Sequence, residues 1–420
     1  MPNDVIRFGE LVRAHRMRRG MTQRQLAELS TVSIRAIRDI EQNRAARPRP
    51  TTVRLIADGL RLTGRSRADF EASAGYLVAA RPSDLLPEPA APPPAPLDTL
   101  VGRSAEVRSV RDLFTADGQR LVTVTGLGGV GKTRVAQAVA DELYRVSGVQ
   151  VLWSSPAGTD LMETAESRLH RLIIGPDWPE LVSLIRQQSV VLVLDGYQAA
   201  QIQVDRVVSL LRSCAQLRVL ITTREPVEFR GGSSFPLPPL PVPPVADHYD
   251  PAGVAQVASG QLLVRYLRRY RPGFELTSRN AAQVAMLCRQ VDGIPAALAQ
   301  VASWSLAYGL DTLVANVEAD PLRLVGVSAG GGKPDLDLPA VLRQAVRSVD
   351  AEERELLSRL TSFANQGAGR AELPGPDYLR AAEKLLMRGL VRLLEEPPGS
   401  PRFVVPRLVQ RLLQKPEDLA

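Results

Sequence analysis

LVTVTGLGGVGKT, residues 121–133, is the stretch on which the fold of most of this chain turns. An apolar, β-branched run from Leu121 to Thr125 leads into G-x-x-x-x-G-K-T at Gly126, Gly131, Lys132 and Thr133, and Val135, Ala136, Val139 and Ala140 then recur at helical spacing. A strand that turns through glycines into a helix presents backbone N–H groups at a helix N-terminus, where negative charge is favoured. With Gly128, Gly129 and Val130 inside the loop and Arg134 just past it, those amides can wrap phosphates without obstruction. Lys132 is then expected to reach the β and γ oxygens, and the Thr133 hydroxyl to bind Mg²⁺.

Working outward, VVLVLD at 190–195 is a continuous apolar run ending in a carboxylate, as a buried parallel strand does. It puts Asp195 where an acid would hold Mg²⁺ through water. RVLITTR at 218–224 is another buried strand, and Arg224 at its end is placed to sense a γ-phosphate.

The chain has 420 residues, 45% hydrophobic and 23% charged, a soluble balance too long for one core. No apolar run reaches the 18 or so residues of a membrane span, and the opening stretch lacks a secretory leader's apolar core, so a cytoplasmic protein without membrane contact is expected. Cys214 and Cys288 form no C-x-x-C pair, which argues against a disulfide framework or zinc site. Charge is uneven: residues 1–80 hold 15 Arg and no Lys against 8 acids, a net +7 that equals the formal charge of the whole chain. A basic terminal unit on a neutral body points to a polyanion, most simply double-stranded DNA. Arg outnumbers Lys 48 to 4 throughout, so the choice of Arg itself carries no message.

Pro- and Gly-rich breaks divide the chain into a helical DNA-binding unit (1–75), a Pro-rich linker (76–97), an α/β phosphate-binding domain (98–245), a helical domain (246–325), a Gly-rich joint (326–334) and a terminal domain (335–420). The predicted fold class is therefore multidomain, all-α followed by a parallel sheet with flanking helices and two further domains. In the first unit, Phe8, Leu11, Val12 and His15 share one helix face before Gly20 breaks it. Thr22 caps a second short helix, and Ser33 caps a third that ends near Gln42.

Two helices joined by so tight a turn, in MTQRQLAELSTVSIRAIRDIEQNRAARPRPTTVRLIADGL, resemble the lambda/Cro repressor-like helix-turn-helix family over residues 8 to about 62. That resemblance implies that the third helix enters the major groove, with Ser33 at its start, Ile34, Arg35 and Asp39 facing base edges, and Arg38 close by. Arg35 can fork onto guanine, Ile34 can pack on a thymine methyl, and Asp39 can accept from cytosine. Gln23 and Asn43 are expected to touch phosphates, and Arg16 and Glu41 to form a structural salt bridge. Thr31 stands where the family usually has Gly, a position favouring positive φ.

The order of motifs from the glycine loop through Asp195 to Thr222-Thr223-Arg224 is similar to the NB-ARC subgroup of the STAND signal-transducing NTPases. The likeness extends over about residues 98–415: Val101, Gly102 and Arg103 match a lead-in that contacts adenine, Pro295 in DGIPAALAQVASW would pack on the base, and residues 348–413 resemble a winged-helix domain. It implies ATP or ADP with Mg²⁺ as cofactors, a nucleotide-controlled switch and a homo-oligomer. Two departures qualify it. Gly196, Tyr197 and Gln198 follow Asp195 where relatives often carry a further acid, and loss of a general base worth about 10²- to 10⁴-fold predicts at most a slow ATPase. Val405-Pro406-Arg407 replaces the family's M-H-D, with Arg407 a candidate phosphate contact. The expected function is a nucleotide-dependent transcription regulator; the alternatives are a defence or signalling NTPase whose output is oligomerisation, and a nucleotide-stabilised adaptor.

Overall fold

The computed structural model describes residues 8–42, 44, 48–62, 70, 92–94, 96, 98–156, 169–170, 172–173, 175, 178–186, 188–326, 336–363, 373, 375–394 and 402–414. Asn43, most of the Pro-rich linker and nearly all of the Gly-rich joint lie outside them. The chain forms two compact units that part at residue 88.

The first unit consists of α1 (Phe8–Arg18), α2 (Gln23–Ser30), α3 (Ile34–Glu41) and α4 (Pro50–Gly59) around Val12, Leu26, Ile37, Ile40, Ile56 and Leu60. The local chemistry sets the boundaries. The Thr22 hydroxyl accepts the Gln25 N–H at 3.1 Å while the Gln25 side chain returns to the Thr22 N–H at 2.8 Å, a reciprocal capping box. Ser33 Oγ accepts the Ala36 N–H at 3.2 Å and starts α3. Between them Thr31 adopts φ 54°, the left-handed conformation that Gly would take without strain.

Arg16 and Glu41 join α1 to α3 at 2.6 and 3.0 Å, and Glu41 also accepts from Gln23 at 2.7 Å. Burial alone would raise the Glu41 carboxyl, but hydrogen bonds from Arg16 and Gln23 and the charges of Arg16 and Arg13 outweigh it and hold the group below its ordinary 4.5. A carboxyl lowered on folding stabilises above its unfolded value, and that contribution is lost as pH falls through the folded one. Glu41→Ala, which strands the part-buried Arg16 guanidinium, is expected to destabilise this unit by about 1–3 kcal/mol at neutral pH. Amide hydrogen exchange across α1–α3 measures it, and the difference from wild type should shrink below pH 4.5.

In the second unit, α5 (Ser104–Thr115) precedes β1 (Leu121–Thr125), α6 (Lys132–Ser147), β2 (Gln150–Ser154), α7 (Trp178–Ile185), β3 (Val190–Leu194), α8 (Val204–Ser213), β4 (Leu217–Thr222) and β5 (Ser233–Pro236). The strands form one parallel sheet in the order β2-β3-β4-β1-β5, with β1 and β3 buried at every residue. The strand β5 ends in the first two residues of a Pro-rich run, FPLPPLPVPP at 235–244. Pro236 fits there because an edge strand can spare the N–H that proline lacks. Val135, Ala136, Val139 and Ala140 of α6 are fully buried, as their spacing predicts.

Six helices follow: α9 (Pro251–Gln256), α10 (Ala258–Tyr270), α11 (Ala281–Gln290), α12 (Pro295–Ser303), α13 (Leu310–Ala319) and α14 (Pro321–Leu324). The C-terminal part has α15 (Leu338–Arg347), α16 (Ala351–Phe363) and α17 (Leu379–Arg388), an antiparallel ribbon of β6 (Arg392–Leu394) and β7 (Arg402–Val404), and α18 (Arg407–Leu413). Helices followed by a two-stranded ribbon and a last helix are a winged-helix arrangement. One hydrophobic core runs continuously from the sheet through both helical parts. Among the described residues no helix is long and apolar enough to cross a membrane.

Candidate functional site

The glycine loop, Asp195 and Arg224 all follow the carboxyl ends of neighbouring strands β1, β3 and β4, the edge at which open α/β sheets hold ligands. The helix α6 starts at Gly131, at φ 102° and with no side chain capping it, so its first N–H groups are available to an anion. Thr133 Oγ1 lies 2.9 and 3.1 Å from the two Asp195 oxygens, and the Thr222 hydroxyl donates to Asp195 at 2.7 Å. Burial raises the Asp195 carboxyl, partly countered by the Thr222 and Thr133 hydrogen bonds and by the Lys132 charge. A hydroxyl and a carboxylate converging at a phosphate loop are hard oxygen donors that suit Mg²⁺, which keeps most of its waters.

Lys132 is buried, and its ammonium donates to the Gly126 and Leu127 carbonyls at 2.7 and 2.8 Å. Desolvation, and next the charge of exposed Arg224, lowers it to about 7, with Asp195 acting in the opposite sense. Two cations drawn to one loop repel each other, and a polyphosphate between them would turn that repulsion into attraction. The residues present therefore fit a Mg²⁺-bound phosphate chain.

Two clefts open on opposite stretches of the loop. One is lined by Leu127, Gly128, Tyr197, Gln198, Arg224 and, from the C-terminal helices, Val341, Gln344 and Arg388. The other is lined by Val130, Gly131, Arg134, Val101, Arg103 and Pro295, together with Leu240, Leu262 and Tyr266. The second cleft thus brings the lead-in, the loop and Pro295 together. Leu262 and Tyr266, one helical turn apart, are residues that the sequence reading missed, though their i, i+4 spacing marks a common face.

Some expected contacts take other roles in this geometry. Arg103 is buried and its guanidinium donates to Glu106 at 2.6 Å, Val130 O at 3.0 Å and Pro238 O at 2.7 Å, so it clamps the loop from behind. Gly102 sits at φ 65° where a Cβ would overlap Ala258, and does not line the cleft. Arg134 pairs with Asp98 across the cleft mouth. The phosphate role expected of Arg407 is not supported: its guanidinium bonds Gln290 at 3.1 Å, while its backbone N–H and that of Leu408 go to Asp292.

In the N-terminal unit, α3 buries Ile37, Ile40 and Glu41 and turns Ile34, Arg35 and Arg38 to solvent, with Asp39 half-exposed beside them. Exposed Ser33 is committed through its hydroxyl to the Ala36 N–H. Gln23 is half-buried with one amide N–H given to Glu41, leaving its second for a phosphate.

Glycine loop, buried lysine and Thr133–Asp195 pair at the carboxyl edge of a parallel sheet define a P-loop NTPase fold in the second unit. Residues 7–70 match the family described as "Helix-turn-helix domain", so the first unit is a helix-turn-helix domain. The chain is 30% identical over 280 residues to an uncharacterised protein of Mycobacterium tuberculosis, covering 64% of this chain and 66% of that one. It is also 30% identical over 279 residues to a Mycobacterium tuberculosis protein whose name places it provisionally among HTH-type transcriptional regulators, covering 61% of this chain and 29% of that protein. The chain therefore spans less than two thirds of the length of either relative. Among solved structures it is similar to a RuvB variant of Thermotoga maritima (15% identity, 77% of this chain and 98% of that one, TM-score 0.32) and to PCH-2 of C. elegans (14%, 53% and 66%, TM-score 0.29).

Lys132 is held well below its ordinary range in the folded chain. Its lowered value means that the folded protein disfavours the charged form, a penalty complete below pH 7 and relieved as pH rises towards the unfolded value of 10.5. Lys132→Met should leave the nucleotide-free melting temperature at pH 6 no lower than wild type, yet abolish any rise given by ADP. A drop of several degrees without nucleotide would make the ammonium a net stabiliser.

Proposed function

We propose that this chain is a DNA-binding transcription regulator whose state is set by a bound adenine nucleotide, ATP or ADP, with Mg²⁺. The carrying observation is the Thr133 hydroxyl against Asp195 beside an uncapped, glycine-lined helix N-terminus, in a chain that also bears a helix-turn-helix domain. In this reading the phosphates lie along Gly126, Gly128, Gly129, Val130, Gly131 and Lys132, Arg224 meets the γ-phosphate, and the base lies in the cleft of Val101, Tyr266 and Pro295. This is the NB-ARC arrangement of a STAND NTPase, with the domain boundaries expected from the sequence. Hydrolysis is slow or absent: Gly196, Tyr197 and Gln198 offer no carboxylate, and the Tyr197 hydroxyl is engaged by Ser154 at 2.7 Å and His170 at 2.6 Å. DNA is read by Arg35, Arg38, Ile34 and Asp39, with Gln23, Ser33 and Asn43 at the backbone. One such domain covers a half-site, so a homo-oligomer acting in the cytoplasm is the expected form.

Selection from random duplexes with ADP, with a non-hydrolysable ATP analogue and with Lys132→Ala tests the reading. A defined site whose affinity changes with nucleotide in wild type alone is the expected result. Arg35→Ala should then cost about 1–3 kcal/mol at one guanine and relax preference there. Oligomerisation with ATP but no sequence preference would instead favour the defence or signalling alternative.

A further inference from the structure

The residue immediately before the Gly293-Ile294-Pro295 turn ties two distant parts of the second unit together. Asp292 is buried and, though not a glycine, holds φ 56°. Its Oδ1 accepts the backbone N–H of Arg407 and its Oδ2 that of Leu408, each at 2.9 Å, so one carboxylate caps the first turn of α18 from more than a hundred residues away. Arg392 at the ribbon completes the arrangement, donating to the Asp292 carbonyl at 2.7 Å and lying 3.6 Å from Oδ1.

Four residues further on, the Ala296 N–H donates to Gly129 O of the glycine loop at 3.2 Å, and Pro295 lines the cleft assigned to the base. The strap between has little freedom. Gly293 is at φ 65° where a Cβ would come within 2.3 Å of the Leu240 carbonyl oxygen, and Leu240, itself in the cleft wall, donates its N–H to Gly293 O at 3.1 Å. Residues 292–296 are thus fixed at one end by the winged helix and at the other by the phosphate loop.

We infer that Asp292 is a positioning residue through which docking of the last helix sets adenine-nucleotide affinity: the cap holds the strap, and the strap holds Pro295 and Gly129 in the geometry that receives base and phosphates. The inference rests on the nucleotide reading above. Because coupling between sites is reciprocal, bound nucleotide must in turn stabilise α18.

Two substitutions weaken the same link from opposite ends. Asp292→Asn keeps shape but loses the charge and one of two acceptor oxygens. Arg407→Pro removes a single N–H at the first helical position, where proline is tolerated. Arg407→Ala keeps that N–H and removes only the guanidinium. With fluorescent ADP and the full chain, Asp292→Asn and Arg407→Pro should each raise Kd about tenfold, and the double variant should be little worse than either, as expected of partners in one interaction. Arg407→Ala should bind as wild type, and ADP should slow hydrogen exchange in residues 407–413 of wild type but not of Asp292→Asn. If both substitutions lower the nucleotide-free melting temperature while ADP affinity is unchanged, the cap is structural only and the inference fails. If wild type binds no adenine nucleotide, the nucleotide reading itself falls and the inference with it.

Discussion

The second unit depends on how closely other parts of the chain approach the phosphate loop. A Cβ at Gly128 would overlap Val341 of α15; one at Gly129 would lie 2.7 Å from Ala296; one at Gly126 would lie 2.7 Å from Leu237 O. From the far side, Gly389 at the end of α17 is so near that a Cβ there would come within 2.9 Å of the Leu127 N. Glycines in such a loop are usually explained by phosphates that approach the backbone. Here protein approaches it too, from the edge strand, the helical block and the winged helix together, so the loop is also the place where the core is knitted together. A substitution in the loop therefore disturbs domain packing.

The same crowding accounts for the electrostatics. A buried ammonium is costly unless paired, and Lys132 has two carbonyls and the more distant Asp195 for company, with Arg224 opposing it. Asp195 is treated differently, held by the hydroxyls of Thr133 from α6 and Thr222 from β4.

Contiguous motifs were legible in the sequence. The glycine loop, Asp195, the Thr22 and Ser33 caps and the Arg16–Glu41 pair follow from spacing or from family likeness and stand where those imply, because their chemistry is local or lies within one small domain. Composition alone does not mark the end of β5, whose last two residues open the Pro-rich run at 235–244, since a proline count does not distinguish a linker from an edge strand. What spacing could not give was pairing over long separations. Arg103 reaches Pro238, Val341 meets Gly128, and Asp292 caps α18, each joining residues more than a hundred positions apart. The lead-in motif lies in the wall of the cleft that also holds Pro295, yet only packing could reveal that Arg103 clamps the loop and Gly102 clears Ala258.

The mouth of the phosphate-side cleft follows from a network that no motif announces. Asp350 and Glu353 form a reciprocal cap at the start of α16, with the Glu353 N–H donating to Asp350 at 2.8 Å and the Asp350 N–H to Glu353 at 3.0 Å. Buried Glu353 then pairs with Arg388 at 3.3 Å, and Arg388 donates to Ser348 Oγ at 2.9 Å and its carbonyl at 3.2 Å. A helix cap inside the winged-helix part therefore orients the guanidinium that lines the cleft opposite Arg224 and Gly128. Four of the cleft's lining residues, Val341, Gln344, Ala345 and Arg388, belong to these C-terminal helices, so the cleft is an interdomain volume rather than a property of the sheet. Any movement of the winged helix must change the space, and the positive charge, facing the end of the loop where a terminal phosphate would lie.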